Sequence, residues 1–139
     1  MNPFHLAIPV KDLNKCRQFY RDVLGCTEGR STDVWVDFDF FGHQFVLHQK
    51  DGHIIPENLA SNAVDGHAVP IPHFGVVLDW EVWEKLANNL RENNTPFVIE
   101  PYIRFKGQVG EQATMFFMDP ENNTLEFKAF KDISQLFAK

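Results

Sequence analysis

The chain is poor in cysteine, in net positive charge and in long hydrophobic runs, and each scarcity removes a class of function. Two cysteines, Cys16 and Cys26, are too few for the disulfide framework of a small secreted scaffold. Lys and Arg number 13 against 19 Asp and Glu, a net charge of −6. Nucleic-acid backbones and anionic membranes both require clustered cations, so neither is an expected partner. No apolar run approaches the ~18–20 residues that span a bilayer, and the N-terminus has no signal-peptide pattern. The expectation is a cytoplasmic protein. What remains is an ordinary globular composition, 44% hydrophobic over 139 residues, enough for a single domain with a real core.

The chain reads as one unit written twice. An offset of 68 positions lays His73-Phe74-Gly75-Val76-Val77-Leu78 on His5-Leu6-Ala7-Ile8-Pro9-Val10, each a short strand-type run opened by a histidine. After the first run, Asp12 offers a helix cap, and Leu13, Cys16, Tyr20, Val23 and Leu24 recur at helical spacing up to Gly25. Cys16 falls on that apolar stripe and is expected to be buried. Strands are predicted over 32–38 and 44–49. After the second run, Asp79 is the expected cap of a helix with Trp80, Trp83, Leu86, Ala87 and Leu90 on one face. Strands are expected from Phe97, over 114–118 and over 124–130. Residues 103–113 read as a mobile loop. Residues 131–139 read as a short helix packing Ile133, Leu136 and Phe137 on the body. Residues 50–72, rich in Gly, Pro, Asn, Asp and His, read as a linker or long surface loop. The boundaries are therefore module 1 at about 1–50, linker 50–72, module 2 at 73–130 and tail 131–139.

Matched positions in two copies give His5 and His73 a weight that neither has alone. Two such units packed about a pseudo-two-fold axis would let the histidines share a cleft. Glu126, between Leu125 and Phe127, points to the opposite sheet face from its neighbours. An ionised carboxylate on a concave face is costly without a metal or cationic partner. The plainer alternative is a Glu126 that faces solvent or pairs with Lys128 or Arg104.

Three segments then carry a resemblance over nearly the whole chain. These are the paired βαβββ-like units, Phe19-Tyr20-Arg21-Asp22-Val23-Leu24-Gly25, and Phe117-Met118-Asp119-Pro120-Glu121-Asn122-Asn123-Thr124-Leu125-Glu126-Phe127. The last is similar to a DP-x-G-x-x-x-E ending, with Asn122 or Asn123 where glycine is usual. The chain resembles the vicinal oxygen chelate superfamily of glyoxalase I, bleomycin-resistance proteins and type I extradiol dioxygenases. It is most similar to small predicted extradiol-type dioxygenases, through Asp37-Phe38-Asp39-Phe40-Phe41-Gly42-His43-Gln44 and Glu100-Pro101-Tyr102-Ile103-Arg104-Phe105-Lys106-Gly107. The resemblance implies an α+β fold with two βαβββ modules in tandem, forming a curved mixed sheet around a metal-binding cleft. It implies metal ligands at His5, His73 and Glu126, a set that suits Fe(II), with Mn, Ni, Zn or Co as alternatives. An offset of 80 puts Val46, which cannot bind a metal, opposite Glu126. His48, two residues on, is either a fourth ligand or a nearby acid/base, the second being preferred.

The better-known ring-cleaving enzymes present a tyrosine on the strand before the glutamate; here that strand reads Thr114-Met115-Phe116-Phe117-Met118, and Tyr102 is the candidate substitute. Phe40, Phe41, Trp35, Phe105, Phe116 and Phe117 are candidates to line an apolar pocket. Arg104 and Lys106 are candidates to attract an anionic substrate. The expected activity is Fe(II)-dependent extradiol-type cleavage of a catechol-like molecule, with dioxygen as co-substrate. The alternatives are a glyoxalase-type metal-dependent isomerase or lyase, and a metal-free binding protein of resistance type. A homodimer is the expected assembly, since superfamily members are often dimers, and residues 50–72 could serve as dimer contact or lid.

Overall fold

A computed structural model of the chain describes residues 1–139. The chain divides into two compact units. The first comprises residues 1–57 with Asp119–Asn122, and the second residues 58–118 with 123–139.

The first unit runs β1 (His5–Val10), α1 (Leu13–Gln18), β2 (Thr27–Ser31), β3 (Trp35–Phe40) and β4 (His43–Gln49). Its sheet has the order β1-β4-β3-β2, with β1 parallel to β4 and the other pairs antiparallel. Asp12 caps α1, its Oδ1 accepting from the Lys15 N–H at 3.1 Å. The helix then widens into a π turn over Phe19–Val23, where the Leu24 N–H reaches the Phe19 carbonyl. Tyr20 is fully buried there among Phe38, Phe40 and Phe45, with ring centroids 4.8–6.4 Å apart. Its hydroxyl donates to Asp119 Oδ2 at 2.8 Å, which satisfies the one polar atom the ring carries inward.

Both cysteines are buried and free. Burial, then the Asp39 carboxylate, pushes the Cys26 thiol up to about 12, and burial also raises Cys16. Thiolates react and thiols do not, so neither cysteine is expected to label with a thiol reagent at pH 8 except through unfolding. Labelling faster than unfolding in denaturant would contradict this. The sign for stability follows from the raised value. The Cys26 contribution is complete below its ordinary 9.0 and is lost as pH climbs toward about 12.

The second unit runs β5 (Ala60–Val64), β6 (His67–Ile71), β7 (His73–Phe74), β8 (Val77–Leu78), α2 (Trp80–Glu92), β9 (Phe97–Arg104), β10 (Gln112–Met118) and β11 (Thr124–Phe130). β7, β11, β10 and β9 form its sheet in that order, β8 also pairing with β11. The opening strand is again parallel to the closing one. The repeat therefore holds at the level of register. His5 pairs with Gln44 and His73 pairs with Thr124, so the offset of 80 between closing strands is real. Val46 occupies in the first unit the place of Glu126 in the second. α2 buries Trp83, Leu86, Ala87 and Leu90 as its spacing predicts, and the Trp83 Nε1–H donates to the Phe127 carbonyl at 2.8 Å.

Several elements depart from the sequence reading. The βαβββ pattern calls for a strand before residue 32 that the residue pattern does not locate. β2 fills that place; Thr-Glu-Gly-Arg-Ser has no apolar alternation and survives as a polar edge strand beside β3. The 50–72 segment contains the β5–β6 hairpin. Its Asp65-Gly66 turn has both φ angles positive, +50° and +78°, as a two-residue hairpin turn requires. The expected strand over 73–78 is broken between Phe74 and Val77. The 103–113 loop shrinks, because β9 continues to Arg104 and β10 begins at Gln112. The tail forms one 3₁₀ turn, Ile133–Gln135, and leaves Ile133 62% and Phe137 89% exposed. Nine residues are too few to sustain a helix without packing. Finally, φ at Asn122 is +62°, which identifies Asn122 as the residue standing where the motif has glycine.

Candidate metal centre

In an antiparallel ladder, residues directly opposite share a face. Glu126 faces Phe116, while Thr114 faces both Lys128 and Tyr102. One face of the second sheet thus carries Glu126, Lys128, Thr114, Phe116 and Tyr102. The other face, with Met115, Phe117, Leu125, Phe127 and Ala129, is fully buried. This confirms the alternation read at Leu125-Glu126-Phe127.

His73 and Glu126 meet within this unit, His73 Nε2 lying 3.0 Å from Glu126 Oε2. The other ring nitrogen, Nδ1, lies 2.7 Å from the Pro70 carbonyl, which can only accept. The Pro70 carbonyl therefore places a proton on Nδ1 and turns Nε2 toward a carboxylate oxygen, so either a proton or a cation lies between Nε2 and Oε2. A divalent cation fits the geometry, because cis ligands at ~2.1 Å meeting near 90° stand about 3.0 Å apart. The other Glu126 oxygen, Oε1, accepts from the Thr114 hydroxyl at 2.8 Å and lies 3.5 Å from Lys128 Nζ. Phe116 packs edge-on against the His73 ring, centroids 5.1 Å apart, and limits its rotation. A cavity of about 210 Å³ opens beside the pair, lined by His73, Gly75, Val77, Glu126 and Lys128.

The remaining candidates are distributed as follows. His5 lies on β1 of the first unit, exposed, its Nδ1 2.8 Å from Gln44 Oε1. His48 shares its sheet face but pairs with Pro9, four residues along β1 from His5, a distance of about 13 Å. The two cannot share an ion within that unit. Tyr102 donates to Asp65 Oδ2 at 3.2 Å and packs at a tilt against His67, ring centroids 5.0 Å apart. Burial, then Asp65, raises its hydroxyl above the usual value, so it keeps its proton. Arg104 Nε reaches the same Asp65 oxygen at 2.5 Å, and its guanidinium lies over Phe105. Its charge is thus already paired, and an exposed pair of this kind adds little stability. Lys106 is exposed in the turn between β9 and β10. No group of three or more His, Cys, Asp or Glu side chains converges to form a complete metal cluster. Sequence reasoning missed Thr114 and Gln44, because each depends on cross-strand register.

Each unit contains a strand that begins with a histidine whose Nδ1 is engaged and that runs parallel to the unit's last strand. The chain belongs to the Glyoxalase/Bleomycin resistance protein/Dioxygenase superfamily, whose family model matches residues 3–127. A crystal structure of a glyoxalase/bleomycin resistance protein/dioxygenase from Alicyclobacillus acidocaldarius is 32% identical, with a TM-score of 0.79 over 98% of this chain and 96% of that one. The same fold occurs in the fosfomycin resistance protein FosX from Listeria monocytogenes, at 18% identity and TM-score 0.69, covering 97% of each chain. It also occurs in a lactoylglutathione lyase from Agrobacterium tumefaciens, at 18% identity and TM-score 0.66, covering 99% of this chain and 96% of that one. No curated protein matches. The superfamily contains enzymes and non-catalytic members, and its members commonly bind divalent metals and small-molecule substrates.

Proposed function

We propose that this chain is a divalent-metal enzyme of the extradiol-dioxygenase type, with His5, His73 and Glu126 as the ligands and a small molecule bearing two adjacent oxygens as substrate. The observation that carries the reading is the His73–Glu126 pair, whose Nε2 and Oε2 stand 3.0 Å apart on one sheet face, the separation of two neighbouring ligands of one cation. His5 is prepared in the same manner, with Nδ1 occupied and Nε2 left over. Two imidazoles and one carboxylate are the donor set of non-haem Fe(II) oxygenases. Val46, 5% exposed in the place equivalent to Glu126, supplies no fourth ligand, which favours this set over a glyoxalase-type one. Bound there, the ion would supply Lewis-acid polarisation of adjacent substrate oxygens and, as Fe(II), capacity for dioxygen chemistry. The chain's own residues orient and hold. The Pro70 carbonyl and Phe116 fix the His73 ring, and Thr114 fixes one oxygen of Glu126. Tyr102, its proton donated to Asp65 in a hydrogen bond, presents its hydroxyl oxygen on the same face, and Lys128 a positive charge beside the carboxylate.

The test is anaerobic reconstitution with Fe(II), followed by metal analysis and oxygen uptake against a catechol panel, with Glu126→Gln as control. About one iron per chain is expected, with oxygen consumption. In Glu126→Gln the affinity should fall by more than the roughly 10–100-fold that losing an outer hydrogen-bond partner costs. Stoichiometric metal without oxygen use would transfer the chain to the isomerase or lyase class. No specific metal would overturn both readings and leave a binding protein.

A further inference from the structure

The segment Asp37–Gln44 closes the hairpin between β3 and β4, and its polar side chains are arranged around the start of β1. Asp39 Oδ1 accepts from the Gly42 N–H at 2.8 Å and shapes the turn. His43 Nδ1 accepts from the Phe4 N–H at 2.9 Å, and the Gln44 N–H donates to the Phe4 carbonyl at 2.9 Å, fixing the residue before His5 on both backbone groups. Gln44 stands directly opposite His5 in the β1–β4 ladder. Its side-chain Nε2 donates to Asp37 Oδ2 at 3.3 Å, and its Oε1 lies 2.8 Å from His5 Nδ1.

That chain of contacts has one consistent polarity. A carboxylate accepts only, so Asp37 must face the NH₂ end of the Gln44 amide. The amide oxygen is then turned to His5, and an oxygen demands a proton on Nδ1. The neutral His5 ring is left with its lone pair on Nε2, the same outcome that the Pro70 carbonyl imposes on His73. We propose that Gln44 and Asp37 are positioning residues that select the Nδ1–H tautomer of His5 and so present its Nε2 as a ligand atom. The assignment rests on the metal reading of His5. It gives the Asp37–Gln44 segment a chemical purpose: a relay of carboxylate, amide and imidazole across three strands. Such outer partners set ring orientation and ligand basicity in metal sites.

The relay is tested first in the metal-free protein, by ¹⁵N NMR of the His5 ring at a pH where it is neutral. The unmutated protein should show the Nδ1–H form. Gln44→Leu, which removes the acceptor, should shift His5 toward Nε2–H, and Gln44→Glu, which keeps an acceptor oxygen, should retain Nδ1–H. Metal affinity, read by chelator competition with Co(II), should fall about 10–100-fold in Gln44→Leu. Asp37→Asn should fall in the same direction by less. In a His5→Ala background, Gln44→Leu should cost nothing further, whereas a merely structural Gln44 would cost the same in both backgrounds. An Nε2–H ring in the unmutated protein, or a Gln44→Leu protein with unchanged tautomer and affinity, would overturn the proposal. Failure of the metal reading looks different: His5→Ala would then leave Co(II) affinity untouched while the tautomer shift still occurred.

Discussion

Gly75→Ala is expected to destabilise the protein by about 3 kcal/mol or more, since overpacking that cannot relax exceeds the usual 1–3 kcal/mol range, and to weaken the metal binding proposed for His73 and Glu126. A Cβ placed on Gly75 would lie 1.7 Å from the Glu126 carbonyl oxygen and 2.7 Å from its carbonyl carbon. Both are backbone atoms, so no rotamer change relieves the contact. The β11 strand cannot retreat, because β10 holds it along one edge and Trp83 holds the Phe127 carbonyl. The strand that must move is β7–β8. Register across it is continuous, Thr124 with His73 before the break and Lys128 with Val77 after it. Displacing it separates His73 Nε2 from Glu126 Oε2. Urea denaturation and chelator competition on Gly75→Ala measure the two effects separately. A variant that retained both stability and metal affinity would show that the strand slides freely and that the His73–Glu126 distance does not depend on Gly75.

That glycine marks the limit of what the sequence disclosed. The repeat was legible because two histidines and two apolar runs recur at one offset, and the observed registers of His5 with Gln44 and His73 with Thr124 reproduce it. The outward direction of Glu126 was legible from alternation alone, and so was burial of Cys16 from helical spacing. Close approach between strands leaves no such trace; Gly75 reads simply as a small residue in a strand. The roles of Thr114 and Gln44 were hidden for a related reason, since each acts on a residue of another strand and only register brings them together. Polar β2 and the β5–β6 hairpin were passed over because weakly apolar strands lack a period, although Asp65-Gly66 was a usable turn signal. The tail failed oppositely: Ile133, Leu136 and Phe137 have helical spacing, but nothing holds Ile133 or Phe137 against the body.

The motif that suggested the family also contains the residue whose loss should most damage the first unit. Glu121 is 2% exposed, and its carboxylate accepts two backbone bonds at 2.7 Å, Oε1 from Lys11 N–H and Oε2 from Asp12 N–H. The Cys16 thiol, raised chiefly by burial, is raised further by this carboxylate. Its neighbours are equally engaged. Asp119 accepts from the Tyr20 hydroxyl and the Glu121 N–H, and Asn122 Nδ2 donates to the Pro56 carbonyl. A buried carboxylate is tolerable here because donors surround it; remove it and the donors are stranded instead. Glu121→Ala should therefore cost about 3–6 kcal/mol, two charge-assisted bonds at roughly 1.5–3 kcal/mol each, before any cavity term. That is a large fraction of a typical domain's stability of about 5–15 kcal/mol. Glu121→Gln keeps the volume and one acceptor but turns an NH₂ group toward a backbone N–H, so a loss of about 1–3 kcal/mol is expected. The ordering distinguishes causes. If unfolding in urea found the Gln variant as stable as the unmutated chain, the volume of the side chain rather than its two acceptor oxygens would be holding the start of α1.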